Sequence, residues 1–150
     1  MKALLDKIDL NQIDHQLFDT TAEEIAKKLS EPVKLKYNRQ SRKEEITPQR
    51  DANKSSQIRR FYEDILNWEA QLNQVRTKET RDQKYAELLP LIKMLNAKVA
   101  YAHGRDTVDD QFRDFINHCI RQLNPNQPDG FKHFKLLFES VIGFMKKKDN

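Results

Sequence analysis

The stretch L-L-P-L-I-K-M-L-N-A-K-V-A-Y-A-H-G-R, Leu88 to Arg105, decides how the rest of the chain is read. Leu88, Leu91, Ile92, Leu95, Val99 and Ala102 recur three and four apart, the spacing of one apolar stripe on an α-helix. Met94, Lys98, Tyr101 and Arg105 share a second face. The segment therefore predicts one helix with a buried face and an offered face. The offered face carries two cations, an aromatic ring and a thioether. Pro90 suits the first turn, or a kink if the helix starts earlier. Gly104 is placed for a left-handed C-terminal cap. Taken alone, Lys98 and Arg105 read as a solvated face that also complements the helix's negative end.

Working outward, the helices before and after repeat the pattern. Ile58, Phe61, Ile65, Trp68, Leu72 and Val75 keep a heptad spacing, so they predict the core face of a helix that Asp51, Asn53 or Ser55 could cap. Beyond Arg105, a cap at Asp106 or Thr107 would open a helix with Val108, Phe112, Phe115, Ile116, Cys119, Ile120 and Leu123 inward. N-P-N-Q-P-D-G, Asn124 to Gly130, breaks the chain. A last helix from about Phe131 to Lys147 would bury Phe134, Leu137, Phe138, Val141, Ile142 and Met145. Lys146, Lys147 and Lys148 would favour its C-terminus. Thr21 and Glu24 have the spacing of a capping box for a short helix ending near Pro32. Residues 32–53 show no helical period and read as a basic loop.

The 150 residues form a single domain, large enough to bury a core. With 3 Gly and 5 Pro, turns are scarce, and no useful run of alternating β-branched residues is present. The expected fold is all-α: one small bundle of about five helices with a basic N-terminal loop. Residues 1–53 are expected at the periphery and 54–148 as the helical core. The core should centre on Phe61, Trp68, Leu95, Val99, Phe115, Phe134 and Phe138. One Cys excludes an intramolecular disulfide and fits a reducing cytoplasm. No apolar run approaches the roughly 18 residues of a membrane span. Acids interrupt the first ten residues too soon for a secretory signal.

Charge is unevenly spread. Residues 32–60 hold nine cations against three acids, or +6, while the whole chain is +4 and the remainder is −2. A basic band on a near-neutral body is an electrostatic footprint for a polyanion. Nothing suggests catalysis or a cofactor. Three glycines cannot build a phosphate-cradling loop. His118 and Cys119 are adjacent, so on a helix they point about 100° apart and neither chelate nor pair as nucleophile and base. Cys119 also falls on the apolar stripe.

Four segments, in order, resemble a known family: S-S-Q-I-R-R-F-Y at 55–62, L-P-L-I-K-M-L-N-A-K-V-A-Y-A-H-G-R at 89–105, F-I-N-H-C-I at 115–120 and F-E-S-V-I-G-F at 138–144. They are similar to the small subunit of the type III-A CRISPR–Cas interference complex, the Csm complex, over roughly residues 54–145. K-V-A-Y-A-x-G-R is the most specific part. The resemblance implies a non-catalytic helical bundle without cofactors, several copies of which stack beside the backbone subunits. Such subunits hold the guide RNA and target RNA through basic residues, while cleavage belongs to the backbone and large subunits. The family's basic positions fall here on Lys54, Arg59, Arg60, Lys93, Lys98 and Arg105. Implied partners are both RNAs, the other subunits and neighbouring copies, with a homodimer possible in isolation and no membrane.

A rival reading is a stand-alone helical nucleic-acid-binding regulator or a protein-interaction adaptor. It would need a helix-turn-helix with a polar recognition face. The helix at 108–123 offers few base-reading residues and carries Asp109, Asp110 and Asp114.

Overall fold

The computed structural model describes residues 1–148, with side chains through Met145. The side chains of Lys146, Lys147 and Lys148, expected to favour the last helix's C-terminus, lie outside the described residues. The elements run α1 (Lys2–Leu5), a π-turn (Leu17–Thr21), α2 (Ala22–Ser30), β1 (Val33–Asn38), β2 (Lys43–Pro48), α3 (Ser55–Asn73), α4 (Lys78–Lys93), α5 (Leu95–Gly104), α6 (Asp110–Arg121) and α7 (Asp129–Lys148). The body is a helical bundle, as the apolar periodicity requires.

One cluster forms the core, and all seven residues expected at its centre are buried in it. Phe138 on α7 is its hub. Its ring lies 5.6 Å from Tyr62, 6.2 Å from Phe112, 6.1 Å from Phe115 and 6.1 Å from Phe134. Such tilted and edge-on pairs add about 0.5–1.5 kcal/mol each beyond the area they bury. Nearby, Lys135 pins α7 to α3: its ammonium lies 3.6 Å from Glu69 and 3.2 Å from Glu139. Burial works against that charge, but the hydrogen bond to Glu139 and the charge of Glu69 outweigh it and hold the ammonium's pKa above its ordinary value.

Several expectations need correction. Residues 33–48 are not a loop but an antiparallel hairpin in which Leu35 faces Ile46 and Tyr37 faces Glu44. V-K-L-K-Y alternates apolar and polar residues with the period of a strand, and Asn38 makes the turn by accepting from Gln40 N and Ser41 N. The first 31 residues are not peripheral: Leu4, Leu5, Ile8, Leu10, Leu17, Ile25 and Leu29 are all in the core. A strap at residues 8–11 is stitched down by long-range hydrogen bonds. Gln122 Nε2 donates to Ile8 O and Gln122 Oε1 accepts from Leu10 N, both at 2.7 Å, while His133 Nδ1 lies 2.6 Å from Leu10 O. Gly130 permits that approach, because a Cβ there would sit 2.7 Å from Asn11 Oδ1. His118, His133 and Cys119 thus have structural roles, and burial pushes the Cys119 thiol far up.

The deciding stretch is also two helices, not one. α4 starts at Lys78, which leaves Pro90 in its interior. At the junction Met94 N donates to Leu91 O at 3.1 Å, an i−3 bond that tightens the chain between α4 and α5. Gly104 ends α5, but the left-handed residue is Asp106, with φ 62°. Asp106 N donates to His103 O and Thr107 N to Ala102 O, the paired bonds of a Schellman cap. The cap of α6 is Asp109, not Asp106 or Thr107: its side chain accepts from Phe112 N. The extended Lys54 precedes α3 without a side-chain cap.

Candidate nucleic-acid interface

α3 and α5 face each other across an open cleft of about 440 Å³. Gln57, Arg60, Phe61 and Asp64 share one helical face of α3 and form one wall; Lys98, Tyr101, Ala102 and Arg105 form the other. Phe61 and Ala102 floor the cleft because they belong to the core stripes. The face of α5 expected to be offered is exposed: Met94 is 53% accessible and Tyr101 68%.

Two of the cations have partners on the cleft rim. The Arg105 guanidinium lies 5.6 Å from the Tyr101 ring centre, and its Nη1 donates to Tyr101 Oη at 3.3 Å. Both hold Arg105 along the rim. Lys98 Nζ reaches across to Asp64 Oδ2 at 3.1 Å, with both side chains more than a third exposed. A pair this wet contributes at most about 1 kcal/mol, so an incoming anion displaces Asp64 at little cost.

Three of the six candidate cations therefore meet here: Arg60, Lys98 and Arg105. The other three do not line this cleft. Lys54 sits at the start of α3, 3.9 Å from Asp51. Arg59, one residue round the helix from Arg60, borders a small hollow with Ile142 and Met145 of α7. Lys93 Nζ donates to Ile120 O at 3.3 Å, at the negative end of α6. Glu63 and Asp64 were missing from the sequence reading, although Asp64 follows Arg60 by one helical turn and so had to share its wall.

A recognition helix is not available. In α6 only Arg121 is exposed, Gln111 is tied to Lys28 O, and Arg113 is tied to Asp110 and Asp114. Among the described residues no group of three His, Cys, Asp or Glu side chains could hold a metal ion, and no helix is long and apolar enough to cross a membrane.

Fold and cleft together define a small helical domain with three cations and two acids lining an open cleft between two helices. The comparison with protein families narrows this: the Csm2 Type III-A family model matches residues 39–150, and the chain belongs to that family. The match begins inside the hairpin turn, well before the motif at Ser55, so β1 precedes it. Csm2 proteins are the small, non-catalytic subunit of the type III-A CRISPR effector complex, alongside the other Csm subunits and the CRISPR RNA. No curated protein and no solved structure matches the chain.

Proposed function

We propose that this subunit uses the α3–α5 cleft to hold the backbone of the guide–target RNA duplex inside the type III-A complex, in the cytoplasm, without reading its sequence. One observation carries the reading: Arg60 of α3 lines a single open cleft with Lys98 and Arg105 of a separate helix. Sequence is already read by guide–target pairing, so the protein need only meet phosphates and A-form shape. Three cations on two facing walls suit that task, and the weak, exposed Lys98–Asp64 pair yields readily to a phosphate. Lys54, Arg59 and Lys93 would act outside the cleft, on RNA or on the adjoining backbone, large or identical subunits. Exposed Leu91, Met94 and Leu66 offer apolar contact to such neighbours.

The test is a binding comparison on the full chain with an RNA duplex, single-stranded RNA and a DNA duplex, each in several unrelated sequences. The RNA duplex should bind best and equally across sequences. Tight binding to one particular DNA sequence would overturn the reading in favour of a stand-alone regulator. In the native host, guide RNA and the other Csm subunits should co-purify with the chain.

A further inference from the structure

The β1–β2 hairpin is the part of the basic band that the cleft leaves unused. Between Val33 and Pro48 it holds five cations, Lys34, Lys36, Arg39, Arg42 and Lys43, against Glu44 and Glu45. Lys34 is spoken for at the root, 3.0 Å from Asp106. No ion pair among the described residues involves Lys36, Arg39, Arg42 or Lys43. One face of the ribbon is apolar and uncovered: Leu35 is 49% exposed, Tyr37 64% and Ile46 68%. A two-stranded ribbon with a bare apolar face is marginal in water unless something else holds it.

Something does, at both ends. At the root, the fully buried Asp109 accepts from Val33 N at 3.1 Å, Asn53 Nδ2 at 2.9 Å, Phe112 N at 2.9 Å and Gln111 Nε2 at 3.0 Å. Lys34 and Gln49 add contacts to Asp106, the residue next to Arg105 of the cleft. At the tip, Asn38 fixes the turn and Arg42 takes a left-handed φ of 56°. The ribbon is thus held out ready-formed from the Arg105 end of the basic cleft.

We infer that this hairpin is a second RNA contact: Tyr37 stacks on an unpaired base while Arg39 and Arg42, in the turn beside it, take the flanking phosphates, and Lys36 and Lys43 on the opposite face of the ribbon add only to its overall positive charge. The inference rests on the RNA reading of the cleft and extends it from duplex to unpaired RNA. The charge excess selects a polyanion over a protein. Rooting beside the cleft places both contacts within reach of one RNA. An exposed aromatic ring next to a turn that carries two arginines can hold single-stranded RNA without sequence preference, by stacking and phosphate contact together.

The experiment measures anisotropy of the full chain with two probes: a paired 20-base-pair RNA duplex, and the same duplex carrying three unpaired adenosines. Tyr37→Ala should weaken binding to the bulged probe roughly tenfold and to the paired one by less than about twofold. Tyr37→Phe should keep wild-type affinity for both. Arg39→Ala with Arg42→Ala should weaken both probes and lower the log–log salt slope by up to about two. Equal binding of the bulged probe by wild type and Tyr37→Ala overturns the inference. So does a Tyr37→Ala protein that keeps its RNA affinity but no longer co-purifies with the other Csm subunits, because the face would then cover a protein. In either case the Arg60, Lys98 and Arg105 variants still test the cleft by themselves. Failure of wild type to bind both probes would instead bring down the cleft reading, and this inference with it.

Discussion

Lys98 and Asp64 illustrate how a contact in the free subunit relates to its task. Their exposed ion pair is weak and, on the proposed function, occupies the place a phosphate would take. Asp64→Asn should raise duplex-RNA affinity by about two- to fivefold with no change in melting temperature. A fall in affinity would mean that Asp64 orients Lys98 instead of competing for it. Trp68 tests the core. It is 7% exposed on the inner face of α3, and Trp68→Ala should cost about 3–5 kcal/mol in denaturant unfolding. A loss below about 1 kcal/mol would contradict the packing. Tyr85 supplies a pH signature, since burial pushes its phenol from an ordinary 10 up to about 12. The folded chain keeps the neutral phenol while the unfolded chain releases its proton. The stability tied to this group is therefore complete below pH 10 and drains away as pH rises from 10 to 12. The amount is roughly 2–3 kcal/mol. Unfolding curves at pH 9 and 11.5 should show that loss in the wild type and a smaller one in Tyr85→Phe.

At the scale of elements, what could be read from sequence was whatever rests on local periodicity. The heptad stripe of α3 and the apolar faces of α6 and α7 follow from side chains three and four apart, so their burial was legible. The hairpin was not, because its alternation spans only six residues per strand and its apolar face is not buried. The strap at residues 8–11 was not, because its partners lie more than 110 positions away. The site was half legible. Spacing put Lys98 and Arg105 on one face, but whether Arg59 or Arg60 joins them depends on the rotation of α3 against α5. Phe61 packs on Phe112 of α6, 5.5 Å between ring centres, which turns the Arg60 side of α3 toward the cleft. Asp109 is the element-scale joint, since it binds the start of β1, the Asn53 corner and the first turn of α6. Asp109→Ala strands buried donors and removes a helix cap, and should cost about 3 kcal/mol or more. Hydrogen exchange should rise first at Val33 and Phe112. Uniform loss of protection without early exchange there would argue against a local joint.

For the whole molecule, a cleft lined by three cations on a helical bundle fits the proposed role of a non-catalytic small subunit in an RNA-guided complex. It requires neither a pocket for chemistry nor a helix for reading bases. The central claim is that Arg60, Lys98 and Arg105 together neutralise RNA phosphates, and each such contact releases counterions. The most direct test compares wild type with the triple Arg60→Ala, Lys98→Ala, Arg105→Ala variant on one RNA duplex at four or more salt concentrations. Circular dichroism should confirm that the variant is folded, as none of the three side chains is in the core. The expected result is weaker binding, similar for unrelated RNA sequences, with the log–log salt slope reduced by about one for each lost contact. A folded triple variant with wild-type affinity and an unchanged slope would contradict it.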